Sequence, residues 1–166
     1  MNDKLVGIYL NDHLAGATAG VELAKRTANS NRDNAFGPRL QTISAEIEED
    51  KKALEKIMDD LGVTQDVLKR QVAFVAERIG RFKMNGQLTG YSPLSRLVEC
   101  EGLKVGIAGK LALWTALQCV DETPALDASE LAGLARRAED QLERIEALRL
   151  EAAVLALDAP EDTDSR

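Results

Sequence analysis

Three apolar stripes of this chain each carry a carboxylate where a hydrophobe belongs. Asp12 falls on the face made by Leu5, Ile8, Ala15, Ala19 and Leu23, Asp50 lies between Ile47, Leu54 and Ile57, and Glu101 sits among Leu94, Leu97, Val105 and Ala108. A buried carboxylate is costly enough that it either neutralises or acquires a partner, so these positions are the first place to look for chemistry. One option is a hard divalent cation. Glu22, Glu46, Asp50 and Glu101 would offer it oxygen ligands alone, which such an ion accepts. The other is a core polar network of Asp12, Asp50, Glu101, Lys104 and Arg149. There Arg149, at the edge of the last apolar stripe, and Lys104, one turn after Glu101, neutralise Asp50 and Glu101 and fix helix register without binding anything. Arg149 discriminates between the two, because a guanidinium pointing into a metal site repels the ion, although its length also lets it reach outward.

These residues need long helices to position them, and the hydrophobic periodicity supplies four. The first is expected over about Lys4–Ala28, ending at Asn29-Ser30-Asn31, and the second over about Arg39–Leu61, with Gly62 as a left-handed C-terminal residue. A shorter amphipathic helix, about Gln65–Arg81, precedes a loop with Asn85-Gly86 and Gly90. Ser92-Pro93 opens the third long helix, which continues to about Val120, and the fourth runs from about Asp127 to Leu157. Short loops make the first and second, and the third and fourth, antiparallel neighbours. The longer connection between the second and third has the reach to climb the bundle, so those two should run parallel. This is an all-α four-helix bundle with a long crossover containing a shorter helix, one domain over 1–157 followed by an acidic tail, 158–166, expected to be disordered. Counted from the end holding the first short loop, Glu22, Glu46, Asp50, Glu101 and Arg149 lie about 6, 7, 11, 8 and 8 residues in, and Asp12 about 16, at roughly 1.5 Å per residue.

The strings Tyr9-Leu10-Asn11-Asp12-His13-Leu14-Ala15-Gly16-Ala17, Gly90-Tyr91-Ser92-Pro93-Leu94-Ser95-Arg96 and Gly109-Lys110-Leu111-Ala112-Leu113-Trp114 resemble a bacterial family of ferritin-like proteins with no assigned chemistry. The resemblance covers nearly the whole chain and implies a ferritin-like bundle. In the wider group it would imply a di-iron centre, built from a Glu on each of two helices and a Glu-x-x-His pair on each of the others. The chain has a single histidine, His13, with Leu10 three residues before it. Glu49 takes the place of a histidine after Glu46, and Glu139, Glu143 and Glu146 lie opposite the apolar stripe of the fourth helix, Leu131, Leu134, Ala138, Leu142, Ile145 and Leu148. No cofactor is therefore expected; the cation reading would bring iron or manganese in a redox or storage role.

Composition narrows the remaining classes. With 166 residues, 45% apolar and 30% charged, the chain can bury a core without staples. A net charge of −7 argues against a general nucleic-acid binder or a protein drawn to anionic membranes. The segment Val63–Lys110 nevertheless holds eight cations against four anions, so Arg78, Arg81, Lys83 and Arg96 could take an anionic ligand, or simply form a solvated face. Cys100 and Cys119 have no Cys-x-x-Cys pattern and read as reduced thiols. The N-terminal stretch lacks a signal-like apolar core, and no apolar run approaches a membrane span, which together suggest a cytoplasmic protein. Gly16 and Gly20 permit close helix approach, and Trp114 and Leu117 lie off the main stripe of the third helix. The glycines suit tight packing inside the bundle or in a dimer, and the off-stripe pair a cover for the crossover helix or a partner subunit, so a homo-oligomer, such as a dimer, is expected. His13 reads as a hydrogen-bonded packing histidine. The expected function is that of a non-catalytic structural or interaction protein.

Overall fold

A computed structural model describes residues 2–65, 91–120, 123 and 126–158 of the chain. These form four helices, α1 (Asp3–Ser30), α2 (Gly37–Asp60), α3 (Pro93–Gln118) and α4 (Ala128–Leu157), with no strand among the described residues. The expected crossover helix over 65–81 but for Gln65, the cations Arg78, Arg81 and Lys83, and all of the expected tail but Asp158 lie outside the described residues. None of the helices is long and apolar enough to cross a membrane.

Local chemistry sets the helix ends. Side-chain oxygens of Asn2, Ser92 and Asp127 accept from backbone N–H groups in the first turns of α1, α3 and α4, satisfying donors that have no partner within the helix. α2 lacks a side-chain cap and begins instead with Pro38 in its first turn. Its Gly37 is required by space: a Cβ there would stand 2.6 Å from the Asn31 carbonyl oxygen and 2.9 Å from that of Arg32. Gly62 ends α2 with φ +67°, the left-handed conformation expected of it.

Cross-helix pairs fix the directions. Asn11 donates to the Thr64 carbonyl and Lys25 pairs with Glu48, so α1 and α2 are antiparallel. Arg26 with Glu99 and Arg96 with Asn31 make α1 and α3 antiparallel, while Lys104 with Glu146 and Lys110 with Gln141 do the same for α3 and α4. Both α2 and α3 oppose α1, and therefore they run parallel to each other. The backbones of α2 and α4 approach each other least among the adjacent pairs, and long side chains span that seam: Arg39 to Glu151, Arg144 to Glu46 and Arg137 to Asp50.

Alternating steps of three and four place the core residues. The stripes are Leu10, Leu14, Val21, Ala24 and Ala28 on α1; Leu40, Ile43, Ile47, Leu54 and Ile57 on α2; Cys100, Leu103, Ile107, Trp114 and Leu117 on α3; and Leu134, Ala138, Ile145, Leu148 and Ala152 on α4. Trp114 and Leu117 are thus core residues, not a second face as the sequence suggested. The faces assigned to α1 and α3 from sequence are buried only in part: Ala15, Ala19, Leu23 and Leu97 lie in the core, whereas Leu5, Ile8 and Val105 are 60%, 53% and 73% exposed, and Asp12 and Glu101 are exposed with them. The reason is that α1 and α3 carry apolar residues on more than one side, so periodicity alone could not tell the buried side.

Candidate functional site

Three of the four stripes are interrupted at one level, by Asp50 on α2, Lys110 on α3 and Gln141 on α4. Each takes the next three- or four-residue step of its stripe, so the fold carries all three side chains toward the core. Asp50 is 2% exposed and Gln141 fully buried. The Asp50 Oδ2 accepts from the Lys110 ammonium and from Gln141 Nε2 at 3.1 Å; its Oδ1 accepts from Arg137 Nε at 2.7 Å and from Arg137 Nη2. Four nitrogen atoms thus fill the acceptor capacity of one carboxylate. Lys110 also donates to Gln141 Oε1, and Gln141 Nε2 reaches Glu46 Oε2 at 3.1 Å, where Arg144 closes the layer at 2.5 Å. Burial pulls the Lys110 ammonium below the ordinary lysine value, and the Asp50 charge opposes that shift.

A second polar cluster closes the end of the bundle. Asn31, fully buried, donates to the Thr27 carbonyl and to the Tyr91 hydroxyl, each at 2.8 Å, and its Oδ1 accepts from Arg96 Nε at 2.6 Å. The Tyr91 hydroxyl donates in turn to Glu99, which also binds Arg26. Burial and the Glu99 charge push the Tyr91 phenol well above its ordinary value. Arg96, considered from sequence as part of an anion-binding face, lies over the Phe36 ring with its guanidinium carbon 4.5 Å from the centroid. Next to this cluster, burial pushes the Cys100 thiol up to about 12, so it stays protonated, while Cys119 is exposed.

The five residues grouped from sequence as one core network are divided by the fold. Asp50 is in the layer, with Lys110, Arg137 and Gln141 as partners instead of Arg149. Arg149 binds Glu146 through two contacts of 2.7 Å, reaching Glu101 only at 3.9 Å, and Lys104 meets the same Glu146 at 2.8 Å. This cluster lies on the outer side of the α3–α4 seam, with Glu101 half exposed. Asp12 is exposed beside His13, whose imidazole is held below its ordinary value by burial against the raising effect of Asp12. Of the proposed cation ligands, Glu46 and Asp50 come together through Gln141, whereas Glu22 and Glu101 are exposed. Among the described residues no group of three or more His, Cys, Asp or Glu side chains is placed to hold a metal ion. Sequence reasoning missed Lys110 and Gln141, although each continues a three-four stripe; choosing Leu142 over Gln141 for the α4 face concealed the second.

No protein-family model matches the chain, and neither a curated protein nor a solved structure shows significant similarity to it.

Proposed function

We propose that this chain is a non-catalytic helical bundle, a structural or interaction protein whose internal carboxylates serve an ion network that sets helix register. The observation that carries the reading is the Asp50 carboxylate, whose oxygens accept from Lys110, Gln141 and Arg137 together. A cation at Asp50 would have to displace an ammonium and a guanidinium and then share the layer with their charge. The finer fold reading is a ferritin-like bundle with a helical crossover in a cytoplasmic protein, and the parallel run of α2 and α3 supports that connectivity. Elemental analysis and an aerobic iron-oxidation assay on protein from metal-supplemented cells test the functional reading. The expected result is no stoichiometric iron, manganese or zinc. Finding about two ions per chain, the complement of a di-iron bundle, lost on Asp50→Ala, overturns it.

Self-association belongs to the same proposal. It is supported by the exposed Leu5, Ile8 and Tyr9 near the start of α1 and by Leu150, Val154 and Leu157 near the end of α4. Apolar side chains grouped in this way mark interaction surfaces more often than isolated ones do. Sedimentation at micromolar concentration should give a species heavier than 18.0 kDa, and a monomer alone would remove oligomerisation from the reading.

A further inference from the structure

We draw no further inference here: the strongest candidate, the open apolar groove along α1 and α3 with Gly16, Gly20, Gly106 and Gly109 in its wall, is an unpartnered face, and nothing among the described residues shows what covers it.

Discussion

Two carboxylates in this bundle are each held by two cationic side chains, yet their surroundings differ. Asp50 sits between Lys110 and Arg137 with its side chain 1% exposed, whereas Glu146 sits between Lys104 and Arg149 at 32%. At Glu146 water and salt screen the charges, and the pairs do little beyond what solvent would do. At Asp50 the charges have been taken out of water, so each depends on the others, and removing one strands the rest. The same residue types thus make a surface ornament in one place and a structural commitment in the other. Burial, set by the helix stripe, makes the difference.

The sharpest way to break this contrast is Asp50→Ala. It leaves Lys110 buried beside Arg137 with no carboxylate between them, and the expected loss is about 3–5 kcal/mol, measured by urea denaturation. Replacing the set with apolar side chains, Asp50→Leu, Lys110→Met and Gln141→Leu together, should recover most of that stability, because no charge is then left stranded. If Asp50→Ala unfolds at the same urea concentration as the parent, the layer is not holding the core.

Gln141→Leu alone is a smaller perturbation of the same layer. It removes one acceptor from Lys110 and one donor from each of Asp50 and Glu46. The ions stay paired, so the expected cost is that of buried polar groups losing one partner, about 1–3 kcal/mol. A loss as large as that of Asp50→Ala would show that the amide, more than the ion pair, organises the layer.

How much of this was legible beforehand follows the same division. The four long helices could be read from periodicity and punctuation, with Ser92-Pro93 and Gly62 acting as anticipated. Asp50 could be identified because α2 has one clean apolar stripe and a single charge within it. On α1 and α3 several faces are apolar, and the contrast that marks the buried side is lost. Asp12 and Glu101 accordingly read as core positions although both are exposed, beside residues of the same faces that are buried, such as Ala15, Ala19 and Leu97. Partners on other helices were harder still: Arg137 reaches Asp50 from the edge of α4, a side-chain trajectory that spacing within one helix does not encode.

The bundle end offers an intermediate case, since its polar atoms are buried but only some are charged. Tyr91→Phe removes the hydroxyl that accepts from Asn31 and donates to Glu99, while Arg26 still neutralises Glu99 and Arg96 still serves Asn31. Two hydrogen bonds are lost and no charge is stranded. The expected cost is about 1–2 kcal/mol in thermal or chemical denaturation. No measurable change would mean that the remaining donors rearrange to take over.

Arg149→Ala should have the smallest effect, a slight loss at neutral pH that fades as the solution is acidified. Hydrogen bonds from Arg149 and Lys104 hold the Glu146 carboxyl at about 2, below the ordinary 4.5. Since the folded value is depressed, the stabilisation is fully present above about 4.5 and is lost as pH falls toward about 2. Removing Arg149 raises the folded value toward the unfolded one, so the variant should lose less stability than the parent over that window. At pH 7 its melting temperature should fall only slightly below the parent's, because the pair is solvent-screened; the two should converge toward pH 2, and 1 M salt should shrink the difference at pH 7. The measurement is a series of melts from pH 7 to pH 2 at two salt concentrations. A fall at pH 7 comparable to that of Asp50→Ala would place Glu146 and Arg149 inside the cooperative core, and the distinction between the two carboxylates would no longer rest on burial.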